Sequence, residues 1–255
     1  MYKKKYGQNF LINQNISKKI LLDEKIKHQN ILEIGTGNLA LSKSIISKQP
    51  KKFLGVEVDE DLNDIYVKNK ISDKIIFKDA LKINERSFFN NENFCIISNL
   101  PFNISSELVI KWCKIQSSYS CIDSMLLMFQ KELAERIIAK KDTKKYGRLT
   151  ILCNAFFSIK KKLSVSKKDF FPIPKVDAMV LKFTPHKINK IKNGNFAKLE
   201  KITRIFFNER RKKNKKKIIK NFSDSQIKKY KLQQLYNLRA ENIDKEFFFE
   251  LSNIL

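Results

Sequence analysis

The chain has 255 residues, 42% hydrophobic and 11% aromatic, enough to bury a core without disulfides or metal staples and too much for a disordered protein. Six Gly and five Pro exclude collagen-like or loop-dominated architectures, and no apolar run approaches the roughly 20 residues of a membrane span. Lys and Arg number 52 against 26 acids, a formal net charge of +26, an excess that self-repels unless a polyanion shares it.

Within that excess, 45 Lys to 7 Arg and 23 Asn carry the mark of an AT-rich genome. Such bias explains Lys over Arg but not bases over acids, so a nucleic-acid partner is expected. The basic start, Met1-Tyr2-Lys3-Lys4-Lys5, is followed by no apolar region, so no secretory signal is expected and the chain is placed in the cytoplasm, off the membrane. Four cysteines (Cys95, Cys113, Cys121, Cys153) form no C-x-x-C pair and only His28 and His186 could join them, so no metal site is expected and the thiols read as reduced and buried.

In chain order, residues 30–34 read as a buried strand, followed by a turn and an amphipathic helix over 39–47. A second strand over 53–58 and a helix over 60–67 follow. Residues 75–77 and 94–98 are short apolar strands. Leu108, Val109, Trp112 and Cys113 place a helix over 105–114. Residues 125–129 form a strand, 131–139 a helix, and 163–165 and 178–183 late strands. This alternation predicts an α/β fold, a mostly parallel sheet with helices on both faces. After residue 185 the chain turns polar, and a linker is expected over 186–195. From 185 on there are 19 basic and seven acidic residues, with helical spacing and no β-rich run. The expected organisation is a ligand-binding domain over 1–185 and a small, basic, all-α domain over 196–255.

Glu33-Ile34-Gly35-Thr36-Gly37-Asn38-Leu39-Ala40 follows the first strand. Two glycines at such a turn let a ligand approach the backbone. The second strand ends in Glu57, 24 residues after Glu33, and an acid there accepts hydrogen bonds from ribose hydroxyls. At this point a nicotinamide dehydrogenase and an S-adenosylmethionine enzyme are both open. Asn99-Leu100-Pro101-Phe102, directly after the strand at 94–98, separates them, because it matches the catalytic loop of amino-methyltransferases. An adenine amine is a poor nucleophile because its lone pair is delocalised into the ring. Acceptors on both its N–H groups, the Asn99 side-chain oxygen and the Leu100 carbonyl, free that lone pair. Pro101 fixes the loop and Phe102 can stack on a splayed-out base. Asp79, after the strand at 75–77, reads equally as a cap or as a ligand residue.

The chain resembles the small-subunit ribosomal RNA adenine dimethyltransferases, the kasugamycin-resistance family, from about Lys4 to Ile243. The resemblance rests on Tyr6-Gly7-Gln8-Asn9-Phe10-Leu11, Glu33-Ile34-Gly35-Thr36-Gly37, Val56-Glu57-Val58-Asp59, Lys78-Asp79-Ala80-Leu81 and Asn99-Leu100-Pro101-Phe102-Asn103-Ile104-Ser105. Phe129-Gln130-Lys131-Glu132, Tyr146-Gly147-Arg148-Leu149, Phe170 through Val176-Asp177, Arg210-Arg211-Lys212 and Arg239-Ala240-Glu241-Asn242-Ile243 extend it. The resemblance implies a Rossmann-like S-adenosylmethionine methyltransferase sheet followed by a small helical domain. It implies that Asn9, Leu11, Gly35, Glu57, Asp79 and Asn99 bind S-adenosyl-L-methionine, Glu57 through the ribose hydroxyls. Asn99, Leu100, Pro101, Phe102 and Phe170 then form the catalytic loop and its base sandwich, with Phe102 and Phe170 on the two faces of the target adenine. The implied reaction is dimethylation of two adjacent adenosines near the 3' end of small-subunit RNA, by a monomer acting in a pre-ribosomal particle.

Between Arg204 and Lys220 nine residues are basic and one acidic. Arg210, Arg211, Lys212, Lys213, Lys215, Lys216 and Lys217 are expected to contact RNA, against the plainer reading of a solvated helix face. Two rivals stay in view: a large-subunit adenine methylase, disfavoured by Gly7 and Leu100, and a non-catalytic RNA-binding assembly or transcription factor, disfavoured by the intact Asn99 loop.

Overall fold

The computed structural model describes residues 3, 6–192 and 194–254; Met1, Tyr2, Lys4, Lys5, Asn193 of the expected linker and Leu255 lie outside the described residues. In chain order the elements are β1 (Phe10–Leu11), α1 (Gln14–Ile20), β2 (Asn30–Ile34), α2 (Ser42–Ile46), β3 (Lys52–Glu57), α3 (Asn63–Lys68), β4 (Ile75–Phe77) and β5 (Phe94–Asn99). After these come α4 (Ser105–Tyr119), β6 (Ile122–Gln130), α5 (Lys131–Ile137), α6 (Arg148–Asn154), β7 (Phe157–Val165), β8 (Phe170–Phe171) and β9 (Ala178–Pro185). The chain closes with α7 (Phe196–Phe207), α8 (Lys215–Asn221), α9 (Asp224–Lys229) and α10 (Lys245–Ile254).

Seven strands form one sheet in the order β4-β3-β2-β5-β6-β9-β7. The pairs β4/β3, β3/β2, β2/β5 and β5/β6 are parallel. β2 is buried at every position because helices cover both faces of a parallel sheet; Ile31, Leu32 and Ile34 are apolar, and Asn30 and Glu33 are buried beside them. β9 runs antiparallel to β6, a departure from the mostly parallel expectation with a simple cause. β9 is reached from β7 without a helical crossover, and only a crossover returns a chain parallel to its neighbour. Strand order reverses beside β2, whose neighbours are β3 on one side and β5 on the other, and ligands of such sheets bind outside the carboxyl ends at that reversal. A separate two-stranded ribbon pairs β1 with β8.

Contacts divide the chain into two units: residues through 111, 121–134 and 159–185, and residues 112–120, 135–158 and 186 onward. The sequence expectation of contiguous domains is corrected here. Segments 112–120 and 135–158 belong with the C-terminal helices, and residues 186–195 are not a free linker. The His186 and Lys190 amides donate to the Phe156 and Ala155 carbonyls, each at 2.9 Å, and Ile191 is buried. Polarity marked that stretch as a connector, but its backbone groups are satisfied by the 155–156 corner.

In the first unit the core gathers Ile31, Ile45, Phe53, Tyr66, Ile97, Met128 and Val180, with Leu11 and Phe170 drawn in from the ribbon. In the second unit Phe206 meets Phe248 edge to face at 5.4 Å, and Tyr146 packs on Phe207 at 6.2 Å. Such aromatic pairs add about 0.5–1.5 kcal/mol each beyond area burial.

Candidate active site

The chain leaves β2 through Gly35 at φ +73° and Gly37 at φ +50°, a left-handed turn that favours glycine. Both glycines are also needed for space. A Cβ on Gly35 would stand 3.1 Å from Pro101 Cγ, and one on Gly37 would stand 2.9 Å from the Phe10 ring. The turn is thus pressed from one side by the loop after β5 and from the other by the N-terminal arm. Between them lies a cavity lined by Tyr6, Asn9, Leu11, Gly35, Glu57 and Asn99, among others. It holds about 60 Å³.

Side-chain hydrogen bonds hold the arm. Asn99 Nδ2 donates to the Asn9 carbonyl at 3.1 Å, Asn38 Nδ2 to the Leu11 carbonyl at 2.9 Å, and Lys3 Nζ and Gln8 Nε2 to the Asp59 carboxylate at 2.5 and 2.7 Å. Burial works to raise the Asp59 carboxyl, but the Lys3 and Gln8 hydrogen bonds outweigh it and hold the group below the usual range.

Glu57 sits at the end of β3, facing the turn. Its Oε2 accepts from the Gly37 amide at 3.0 Å. Its Oε1 accepts from the Val58 and Asp59 amides at 2.8 and 3.1 Å. Burial pushes its carboxyl up, against the pull of these three amides. A carboxylate has about four acceptor sites, so one site on Oε2 remains open among the described residues.

Asn99 ends β5 at the mouth of the cavity. The Asn9 carbonyl can only accept, so it must face the Asn99 NH₂ group, and this fixes the amide. Oδ1 then points away, buried and without a hydrogen-bond partner among the described residues. A buried acceptor left unpaired costs about 1–3 kcal/mol. Leu100 is buried and anchors the loop, and Pro101 packs on Gly35.

The expected aromatic sandwich is corrected. Phe102 and Phe170 lie edge to face, with centroids 6.4 Å apart and ring planes at 62°, and Phe170 is fully buried. A sandwich needs two roughly parallel faces separated by the thickness of a base. The cause is the ribbon: pairing of Leu11 with Phe170 turns that ring into the core, while alternation along the strand turns its neighbour Phe171 outward.

Asp79 is not among the cavity's lining residues. Its Oδ1 accepts from the Leu81 amide at 2.9 Å, the capping role that its residue type allows. Below that turn Lys111 Nζ donates to the Ala80 and Ile83 carbonyls, both at 2.8 Å, and pairs with buried Glu85 at 3.0 Å.

The family model for ribosomal RNA adenine dimethylase matches residues 1–255. The chain belongs to the ribosomal RNA adenine dimethylase family. Relatives named ribosomal RNA small subunit methyltransferase A include that of Pelagibacter ubique (strain HTCC1062), 41% identical over 98% of this chain and 95% of the relative. That of Mycoplasmopsis pulmonis (strain UAB CTIP) is 36% identical over 98% and 97%. A dimethyladenosine transferase from Plasmodium falciparum superposes with a TM-score of 0.78 at 26% identity, covering 95% of each chain. The 23S rRNA methyltransferase ErmE shares the fold, with a TM-score of 0.69 at 18% identity over 96% of this chain and 98% of its own. The chain is thus an rRNA adenine dimethyltransferase on a Rossmann-like sheet.

The dimethylase carries its basic run in the second unit, and the run does not act as one block. Lys217 is buried, with Nζ donating to the Phe206 carbonyl at 2.7 Å. It caps the end of α7 and is removed from the expected RNA contacts. Arg210 is half-buried and pairs with Glu241 at 2.8 Å, and its Nη2 also reaches the Thr143 carbonyl at 3.2 Å. Lys212 pairs with Glu209. Arg211, Lys213, Lys215 and Lys216 are exposed. A groove of about 310 Å³ joins Lys216 to Arg204, Lys220, Asn208 and Asn221, and four of those five lie outside the expected contact run. Spacing missed them because α7 and α8 meet only in three dimensions. Gln8 and Asp59 were also missed as arm latches, although both stand inside the segments that carry the family resemblance.

Proposed function

We propose that this dimethylase uses S-adenosyl-L-methionine to methylate the N6 amines of two adjacent adenosines near the 3' end of small-subunit ribosomal RNA. The observation that carries the reading is Asn99 Oδ1, buried, oriented by the Asn9 carbonyl and lacking a donor among the described residues. An adenine amine is the donor that such an acceptor fits.

The residues fit the cofactor. Gly35 and Gly37 keep side chains off the turn, Glu57 offers one free acceptor site, and Asn9 and Leu11 of the arm line the cavity. When bound, the cofactor supplies an electrophilic methyl group on a sulfonium. Asn99 Oδ1 and the Leu100 carbonyl accept the two N–H groups of the adenine amine and draw its nitrogen from planar toward tetrahedral. Pro101, locked on Gly35, keeps these acceptors in place while the reaction proceeds, so no reorganisation is needed at the transition state. The methylated nitrogen is an acid strong enough to lose its proton to water, so no side-chain base is required. Phe102 presents a ring to the base, and Phe170 supports it from the core.

The names of the similar relatives support the small subunit as the target, and the exposed cations around the Arg204–Lys216–Lys220 groove support contact with phosphates. Action on a pre-ribosomal particle in the cytoplasm, as a monomer, completes the proposal; among the described residues no helix is long and apolar enough to cross a membrane.

The test is Asn99→Ala with small-subunit RNA and radiolabelled cofactor. Methyl transfer should fall by about 10²–10³-fold, as when one preorganised donor or acceptor is lost elsewhere, while RNA affinity stays within twofold. Primer extension should lose its stop at the paired adenosines. A variant that keeps wild-type turnover would remove Asn99 from the chemistry.

A further inference from the structure

The loop between β7 and β9 carries the most exposed aromatic ring beside the active site. Phe171 is 59% exposed and Ile173 is 63% exposed, although Phe171 directly follows the fully buried Phe170. Lys167, Lys168 and Lys175 on the same loop are also exposed. The loop is built to stay in place. The Asp177 carboxylate accepts from the Lys167 amide at 3.0 Å and ties its two ends together. Asn13 Nδ2 donates to Asp169 at 2.7 Å, and the Asp169 carbonyl accepts from the Ile12 amide at 2.9 Å. Pro172 and Pro174 each fix a φ angle.

We infer that Phe171 is a stacking platform for the unpaired RNA nucleotide that flanks the adenosine being methylated, with Lys167, Lys168 and Lys175 meeting its phosphates. This rests on the reading of Asn99 as the methylation site. Three observations select an RNA base over other occupants. An exposed ring on a loop that carries three exposed lysines is the pattern that binds single-stranded nucleic acid, rings for bases and cations for backbone. The platform is continuous with the site, since Phe171 pairs across the ribbon with Phe10, whose ring packs on the Gly37 turn. The alternation that buries Phe170 against Phe102 puts Phe171 on the opposite side of the strand, so it serves a second base rather than the target. An enzyme acting on two adjacent adenosines always has such a neighbour to hold.

The experiment uses the full chain and an RNA hairpin with the two adenosines in its loop, intact or with one replaced by an abasic site. Wild-type protein should bind the abasic hairpin about 10-fold more weakly, within the range spanned by base–aromatic stacking. Phe171→Ala should bind the intact hairpin about 10-fold more weakly and show no further loss with the abasic one. Phe171→Trp should restore the wild-type pattern, and cofactor affinity should stay constant throughout. Equal affinity of wild type for both hairpins overturns the platform and needs no variant. So does a Phe171→Ala protein that loses affinity for both by the same factor, because the ring would then only support the loop. If wild type transfers no methyl to the intact hairpin, the methylation reading fails, while the binding cycle still decides the platform.

Discussion

Glu33 shows how burial sets the chemistry of a single residue. It lies fully inside the first unit, two residues before Gly35, with Ser42 Oγ donating to its Oε2 at 2.6 Å. Burial pushes its carboxyl up to about 8, the Ser42 hydrogen bond opposes that, and nearby Glu57 adds to it. Glu33 is therefore neutral in the folded protein at pH 7 and ionised in the unfolded chain. Between the ordinary carboxylate range and about pH 8 the folded state binds the extra proton, so stability falls as pH rises through that window and levels off above it. Glu33→Gln keeps the neutral shape and removes this titration. Its melting temperature should decline less than that of wild type between pH 5 and pH 8, and should match or exceed wild type at pH 8. Thermal melts across that range decide the point, and an unchanged pH slope would show that Glu33 ionises in place.

At the scale of elements, the turn after β4 and helix α4 depend on each other. Lys111 holds two carbonyls of the 79–83 turn and the buried Glu85 with one ammonium. Removing one member of a buried pair costs about 3–5 kcal/mol. Lys111→Met should lower stability by roughly 3 kcal/mol on that basis, measured by urea unfolding. RNA affinity should not change. A Lys111→Met protein with wild-type stability would mean that water takes over the three acceptors. The same scale explains Lys217. Its run of neighbours is solvated, but a helical turn carries its side chain under α8, where the last carbonyls of α7 need donors.

For the molecule as a whole, a net charge of +26 makes RNA capture sensitive to salt, and the structure says which cations take part. Lys216→Gln should flatten the slope of log K against log salt by about 0.7–0.9, one phosphate contact. Lys217→Met should leave the slope unchanged and lower stability instead, by about 1–3 kcal/mol for the unpaired Phe206 carbonyl. Binding isotherms over a salt series, with a small-subunit RNA fragment, separate the two. A lower slope in Lys217→Met would return that residue to the RNA surface.

Much of the dimethylase was legible in its residues because the features concerned are local. Strands β2, β3, β4 and β5 are short apolar runs, and the sheet's parallel half follows from their alternation with helices. Gly35, Glu57 and Asn99 each stand at the carboxyl end of a strand, where any parallel sheet collects its ligands, so their meeting followed from order alone. Helix α6 was missed because five of its seven residues are buried, which erases the polar face that periodicity needs. What depended on the tertiary structure was every choice between two faces. β1 and β8 are too short to carry a pattern, and only their pairing turns Phe170 inward and Phe171 outward. The arm's latch on Asp59, the interior place of Lys217 and the groove that joins Arg204 to Lys220 arise from contacts between residues far apart in the chain. Local spacing determines which residues share an element, but the direction a side chain takes is decided by what packs against it.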